Sequence, residues 1–96
     1  MNIRILSSAY NDLVAGRKFY ERQGEGLGEY FFNTLSSEID SLLLYGGIHR
    51  KVYGYHRLLS KRFPYAIYYK IDDKGNIVIW RVLDCRQSPE KIRIAL

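Results

Sequence analysis

The residues with the clearest chemical potential lie in one stretch near the middle of the chain. In HRLLSKRFPYAIYYK, residues 56 to 70, four cationic or imidazole side chains are followed by a run of aromatic ones. Guanidinium groups bind phosphate through paired hydrogen bonds, and aromatic rings stack on exposed bases. The pattern therefore indicates either a surface for a negatively charged backbone or a β-hairpin with an ordinary solvated face.

Positive charge is concentrated in the second half of the chain. Residues 1 to 48 carry four Lys or Arg against six Asp or Glu, a net of −2, whereas residues 49 to 96 carry eleven against four, a net of +7. An anionic partner for the second half is one explanation, and solubilising charge on strand faces is the other. The candidates for binding a nucleic acid or another target are Arg57, Lys61, Arg62, Arg81 and Arg86.

His56 precedes these cations. Adjacent antiparallel strands lie about 4.8 Å apart, so we expect His56 and the five cations to converge on one concave end of the sheet.

The histidines and the single cysteine give weaker signals. His49 and His56 are seven residues apart, with no Asp or Glu at a spacing that completes a metal site, so neither a metal nor another cofactor is expected. Cys85, beside Arg86, is a candidate for a lowered thiol pKa, and a buried, inert cysteine is the alternative. One cysteine allows no internal disulfide and is typical of the reducing cytoplasm.

Length and composition predict one folded domain over residues 1 to 96. Hydrophobic residues make up 47% of the sequence and aromatic residues 15%, far from the composition of disordered chains. No apolar run approaches the length of a bilayer crossing, so we expect a protein of the cytoplasm without a membrane partner.

The elements that position these residues follow from hydrophobic periodicity. A short strand over residues 2 to 6 precedes a helix that Ser7 or Ser8 can cap and that ends near Gln23. Glycines then form a turn, and a second helical stripe extends to Gly46. The first stripe is Ala9, Leu13, Gly16 and Tyr20, and the second is Leu27, Phe31, Leu35, Ile39 and Leu42.

From Lys51 onward, β-branched and aromatic residues predict strands near residues 51 to 53, 56 to 61, 65 to 71 and 77 to 83. In the last strand, Ile77, Ile79, Arg81 and Leu83 are expected on one face. Val78, Trp80 and Val82 are expected on the other. Ser88, Pro89 and Glu90 predict a short closing helix.

This order defines an α+β fold. An N-terminal strand and an antiparallel two-helix hairpin precede a mostly antiparallel sheet, and the hairpin packs on one face. We expect the other face and its edges to carry the late cations.

Four stretches of this sequence resemble the RelE/ParE superfamily of bacterial type II toxins. They are Ala9-Tyr-Asn-Asp-Leu13, Phe19-Tyr-Glu21, Lys61-Arg-Phe-Pro-Tyr-Ala-Ile-Tyr-Tyr69 and Val82-Leu-Asp-Cys-Arg-Gln-Ser-Pro89. The resemblance spans nearly the whole chain and implies the same order of elements. It also implies a growth-inhibiting toxin that is neutralised by a cognate acidic antitoxin, which lays a helix or strand across the basic groove or the helical hairpin.

The superfamily has two activities, and the resemblance leaves both open. One branch cleaves mRNA on the ribosome without a metal, and the other poisons DNA gyrase. By position, Arg62 and Arg86 match the arginines that stabilise phosphate in the nucleases. Relatives often have a histidine at the position of Asp84, or a tyrosine or histidine near the C-terminus, and this chain has neither after Tyr69.

Without those groups, proton transfer in a nuclease of this sequence falls to His56, Lys61, Asp84 or a tyrosine of the middle strands. Arginine is a poor base because it stays charged at neutral pH. The sequence therefore favours gyrase poisoning over mRNA cleavage. A harmless nucleic-acid-binding or degenerate toxin-like domain is the alternative from another functional class.

Overall fold

The computed structural model describes residues 2 to 96 and has the expected order of elements. In chain order these are β1 (Ile3–Ile5), α1 (Ser7–Gln23), α2 (Leu27–Asp40), α3 (Leu42–Tyr45), β2 (Lys51–Val52), β3 (Tyr55–Leu59), β4 (Tyr65–Ile71), β5 (Ile77–Asp84) and α4 (Pro89–Ala95). The predicted strands all occur, with ends shifted by at most two residues. Within residues 2 to 96, no helix has the length and apolarity that a membrane crossing requires.

The five strands form one sheet in the order β1-β5-β4-β3-β2. Strands β2 to β5 pair in antiparallel fashion, and β1 joins β5 in parallel with Ile3 opposite Ile77. Strand β5, which is apolar on both faces, is therefore an interior strand between β1 and β4. The α+β fold with a mostly antiparallel sheet is confirmed.

The α1–α2 hairpin covers one face of the sheet along the two predicted stripes. Phe31, Leu35 and Ile39 pack with Leu13 against strand residues such as Ile67. The predicted serine cap is wrong, because the residue before α1 is Leu6 and the Ser8 hydroxyl instead donates a hydrogen bond to the Trp80 carbonyl.

The second helical stripe is interrupted at Ser41. Its hydroxyl donates to the Glu38 carbonyl at 2.6 Å, a local bond that competes with continuous helix formation, and α3 begins one residue later.

The opposite face of the sheet is partly covered, contrary to the expectation of an open face for the late cations. The closing helix α4 packs there through Ile92 against Tyr55, Tyr68 and Leu83. Ser88 caps this helix by accepting a hydrogen bond from the Lys91 amide, as its sequence predicts. An apolar cluster therefore occupies a surface that the charge distribution had assigned to cations.

A β-bulge corrects the predicted alternation of β5. The register shifts between Tyr68 and Tyr69, which pair with Arg81 and Ile79, so Trp80 is the additional residue. Ile79 and Val82 then face the hairpin, while Trp80 and Leu83 pack with the α4 cluster. An inserted residue shifts the period-two pattern by one, and the hydrophobicity of β5 on both faces hid that shift.

The β2–β3 turn holds Tyr53 in the left-handed region, with φ of 54° followed by Gly54 at 84°. Two-residue hairpin turns of this kind favour asparagine before glycine, and a bulky side chain there is strained. We expect Tyr53→Asn to raise the free energy of unfolding by about 1 kcal/mol. Urea unfolding measures this, with Tyr53→Phe as the control that keeps the strain. Lower stability for Tyr53→Asn would mean that the exposed ring contributes more than the strain costs.

Candidate target-binding surface

In the loop between β3 and β4, Arg62 lies against aromatic side chains of the helical hairpin. Arg62 Nη1 donates to the Tyr30 hydroxyl of α2 at 3.0 Å, and its side chain is otherwise exposed. The adjacent Phe63 packs on Tyr20 and Phe31, with ring centroids 4.9 Å and 5.1 Å away. The hairpin core therefore fixes the loop while the guanidinium faces solvent.

Arg86 lies at the same end of the sheet, because the Cys85 amide donates to the Pro64 carbonyl of that loop. Its charge is locally balanced. Arg86 Nε and Nη2 both donate to the Asp84 carboxylate, at 3.0 Å and 2.7 Å respectively. These hydrogen bonds hold the pKa of Asp84 below its ordinary value and raise that of Arg86. Asp84 is therefore ionised at neutral pH and engaged by its neighbour.

Arg81 has an internal role in the structure. Its Nε and Nη2 atoms donate to the Asp12 carboxylate at 2.7 Å and 2.9 Å, and its Nη1 donates to the Ala95 carbonyl at 2.9 Å. Asp12 also accepts the Val82 amide. Arg81 thus connects β5 to α1 and α4, and these bonds compete with any contact to a target.

Arg57 lies on the α4 side of the sheet, beside Tyr68 and Cys85. Together with Tyr53, these residues line a cavity of about 230 Å³. Burial raises the pKa of Tyr68, and partial desolvation raises that of the Cys85 thiol; in both cases the nearby Arg57 offsets the shift only in part. The lowered thiol pKa considered for Cys85 is therefore wrong, and both groups are protonated at neutral pH. The alternative of a buried cysteine is also wrong, because Cys85 is exposed.

His56 lies on the other face of the sheet from Arg57. Its ring stacks on Tyr69, with centroids 5.0 Å apart, and its Nδ1 donates to the His49 carbonyl at 2.7 Å. The Tyr69 hydroxyl lies 2.5 Å from His49 Nδ1 and accepts the Gly47 amide. Burial, and then the proximity of His56, lower the pKa of His49. This cluster holds the segment before β2 against the sheet.

The predicted convergence of all six side chains at one end of the sheet is therefore wrong. The sheet separates His56 from Arg57, and ion pairs engage Arg81 and Arg86. Arg57, Lys61 and Arg62 form no ion pair with any residue from 2 to 96. Of the five cations predicted to bind a target, these three are therefore the ones that no ion pair engages.

Three residues that organise this surface were missed at the sequence level. Tyr30 holds Arg62, Asp12 holds Arg81, and Glu38 accepts the Lys61 amide at 2.9 Å. Asp12 lies inside one of the stretches that resemble the toxins, and that was the available signal. Nothing in the sequence separated Tyr30 or Glu38 from other helical polar residues. Over residues 2 to 96, no three His, Cys, Asp or Glu side chains are grouped as metal ligands.

The arrangement defines a class of small basic α+β proteins in which a helical hairpin supports a cationic strand and loop. A sequence profile of a family described as the ParE toxin of the type II toxin–antitoxin system, parDE, matches residues 3 to 89. The chain therefore belongs to the ParE toxin family. The expected superfamily is confirmed.

A solved structure with the same fold is titled as a chromosomal ParDE TA system from P. aeruginosa. It superimposes with a TM-score of 0.70 at 20% sequence identity, over 85% of this chain and 92% of the other. A search of curated proteins found no match. At this identity the structural likeness supports the fold, and the family profile supports the toxin class.

Proposed function

We propose that this protein inhibits bacterial growth by binding DNA gyrase, that it does not cleave mRNA, and that a cognate acidic antitoxin neutralises it. The observation that carries the proposal is that His56 and Asp84, two of the proton-transfer candidates, are engaged away from the unpaired cations. His56 is on the opposite face from Arg57, and Asp84 is held by Arg86. Lys61 is itself one of those cations, and an ammonium group donates hydrogen bonds but has no acceptor for a proton. Cleavage through the ribose hydroxyl needs a base and cations around the same phosphate.

The titratable groups beside Arg57 also favour binding over cleavage. Burial raises the pKa of Tyr68 and partial desolvation raises that of Cys85, so neither is a competent base at neutral pH. Arg57 and Arg62 instead suit a binding surface, because guanidinium groups pair with carboxylates as well as with phosphates. The strained, exposed Tyr53 beside Arg57 adds an aromatic contact, and backbone strain often occurs at binding sites.

The test compares DNA and protein synthesis by pulse labelling within minutes of induction. We expect DNA synthesis to stop first, with DNA breaks, and purified protein to inhibit supercoiling by gyrase. The variant Arg57→Gln/Arg62→Gln should need at least about tenfold more protein for the same inhibition. A matched loss of two charges elsewhere, Arg22→Gln/Arg93→Gln, should act like the wild type.

Two results would overturn this proposal. An early stop of protein synthesis with cleaved mRNA ends would assign the protein to the nuclease branch. Unchanged growth with soluble, folded protein would favour the harmless nucleic-acid-binding domain, whose binding should weaken steeply with salt.

A further inference from the structure

The cavity beside Arg57 lies between the β2–β3 turn and the start of α4, and is named the Arg57 cavity. Its volume is about 230 Å³, and Val52, Pro89 and Ile92 form its apolar walls. Pockets that enclose a whole cofactor or drug-sized ligand are larger, about 300–1,000 Å³. The Arg57 cavity therefore matches one side chain of a partner protein.

The polar side chains that line the Arg57 cavity share the ability to donate hydrogen bonds. They are Tyr53, Arg57, Tyr68, Cys85 and Gln87. No Asp or Glu among residues 2 to 96 contributes to the lining. An ionised carboxylate is complementary to such a set, because both of its oxygens accept hydrogen bonds and neither donates. The chemistry of the lining thus favours a negatively charged oxygen ligand.

Arg57 supplies the charge for such a ligand. Its side chain is half-buried, yet it forms no ion pair with any residue from 2 to 96. Arg81 is also half-buried, but it has Asp12 as a counter-ion. Asp84 cannot serve Arg57 in this way, because Arg86 engages both of its carboxylate oxygens. A partly desolvated guanidinium without a counter-ion is unfavourable, and a bound anion removes that cost.

Tyr68 adds a rigid donor beside this charge. Strand pairing places it directly opposite Arg57, so both side chains lie on the same face of the sheet. Tyr68 is only 2% exposed, and Arg57, Tyr53 and Cys85 are close enough to its hydroxyl to affect its pKa. Burial raises that pKa, so the hydroxyl keeps its proton at neutral pH. A donor that packing already holds in place loses little side-chain entropy on binding.

A glutamate suits the Arg57 cavity better than a nucleic acid does. A nucleic-acid strand carries a negative charge about every 3.4 Å, and its binding proteins neutralise several phosphates at once. Within the chain from residue 2 to 96, Arg57 is the one cation in this lining. The apolar walls can pack on the methylene groups of a glutamate, whereas a phosphate group has none. One carboxylate on an aliphatic stem therefore matches both the charge and the walls.

We propose that the Arg57 cavity binds the side-chain carboxylate of one glutamate of DNA gyrase. Arg57 pairs with the carboxylate through two nitrogens, and the Tyr68 hydroxyl donates a further hydrogen bond. Tyr53, which is 48% exposed, covers the rim. The inference rests on the proposed function for the identity of the partner.

The first test uses the free toxin and the α-amide of N-acetylglutamate, whose only charge is the side-chain carboxylate. By heteronuclear NMR we expect saturable shifts of the Arg57 Nε–H signal and of the Gln87 side-chain amide. The matching glutamine compound, which is neutral, should shift neither signal. Equal shifts with the two compounds would overturn the inference. Inorganic phosphate that saturates these signals at a tenfold lower concentration would assign the cavity to phosphate and would also overturn it.

The second test measures inhibition of gyrase supercoiling by Arg57→Lys, which keeps the charge but lacks the paired guanidinium donors. We expect at least about tenfold more protein to be needed for the same inhibition. The matched control is Arg93→Lys, the same exchange on α4 outside the Arg57 cavity, and it should act like the wild type. Concentrations are corrected for the folded fraction of each variant by circular dichroism.

The third test identifies the glutamate by an exchange of charges. Gyrase variants that permit growth during toxin induction should include one in which a surface glutamate is replaced by lysine. Arg57→Glu toxin should inhibit that gyrase at least about tenfold better than it inhibits wild-type gyrase. Resistance that never maps to an acidic residue, or a glutamate-to-lysine variant that Arg57→Glu does not inhibit, would contradict the pairing.

These outcomes are separable from failure of the proposed function. If the wild-type toxin does not inhibit gyrase, the proposed function fails whatever the NMR probe shows. If the wild type inhibits gyrase and Arg57→Lys is equally potent, the inference about the glutamate fails and the proposed function stands.

Discussion

Replacing Asp12 with alanine is expected to lower the free energy of unfolding by about 3 kcal/mol, because Arg81 loses a partly buried counter-ion. The Asp12 carboxylate accepts Arg81 through two nitrogens and also accepts the Val82 amide. The side chains of Arg81 and Asp12 are 25% and 15% exposed, so solvent screens the pair only in part. Urea unfolding monitored by tryptophan fluorescence measures the loss, because Trp80 adjoins Arg81.

A charge-matched control separates this local effect from net charge. Asp40→Ala removes the same charge from the exposed end of α2, where no ion pair with residues 2 to 96 forms. It should change the free energy of unfolding by less than about 0.5 kcal/mol. The double variant Asp12→Ala/Arg81→Met should recover at least about 1 kcal/mol of the Asp12→Ala loss, because no unpaired guanidinium is left. If Asp12→Ala lowers the free energy of unfolding by less than about 1 kcal/mol, the Asp12–Arg81 ion pair contributes no more than a weak surface ion pair does.

The Asp12–Arg81 pair also indicates how far a sequence can predict this molecule. The stretch Ala9-Tyr-Asn-Asp-Leu13 belongs to the resemblance, and its apolar members predicted the buried face of α1 correctly. The partner of Asp12 lies 69 residues away on β5. Local pattern determines which face of a helix is buried, but it contains no information about which distant cation meets a given acid.

The prediction of where the cations lie was wrong for a related reason. Period-two alternation over residues 65 to 71 places Ile67 and Tyr69 on one face of β4, and both are buried against the hairpin. The face that each later cation occupies depends on strand ends and on the bulge at Trp80, which hydrophobicity does not indicate in a strand that is apolar on both sides. Charge composition predicted a basic half, and the ion pairs determine which of its cations are free.

The open outer edge of β3 was beyond prediction because it depends on the register of β2. The two-residue turn at Tyr53 and Gly54 pairs Lys51, the first residue of β2, with His56, so β2 does not extend to the position opposite Leu59. The outward-pointing backbone groups of Leu59 are then left open. Glu38 reaches the edge from α2, a contact 23 residues apart in sequence that no local pattern specifies.

Replacing Phe31 with alanine is expected to have the largest effect, a loss of about 4 kcal/mol in the free energy of unfolding. Phe31 is fully buried, and its ring centroid lies within 5.1 Å of the centroids of Tyr20, Phe63 and Tyr65. Truncation removes the central ring of this cluster and leaves a cavity. Phe32→Ala is the control, because Phe32 is the same residue type one position later but is only partly buried, and its loss should be clearly smaller.

Gly16 makes this prediction more specific. A Cβ added at Gly16 would lie 2.5 Å from two atoms of the Phe31 ring, so Gly16→Ala in the wild type should cost about 1–2 kcal/mol through overpacking. In the Phe31→Ala background the same methyl group enters the cavity, and a helix gains about 0.5–1 kcal/mol from exchanging glycine for alanine. The effect of Gly16→Ala should therefore reverse sign. If the losses of stability of Gly16→Ala and Phe31→Ala simply add in the double variant, the helices move apart in the wild type and the added methyl group does not clash with the Phe31 ring.

The Phe31 cluster also connects stability to the cationic surface. Phe63 contacts Phe31 directly, and the adjacent Arg62 is exposed in the same loop. We expect Phe31→Ala to accelerate hydrogen exchange of the Arg62 and Phe63 amides more than that of the Ile67 amide in the middle of β4. The loop loses its apolar support, whereas the strand keeps its backbone hydrogen bonds to the neighbouring strands. Uniform acceleration at all three amides would mean that the loop opens only when the whole domain unfolds. The aromatic cluster would then not stabilise the Arg62 loop separately from the rest of the domain.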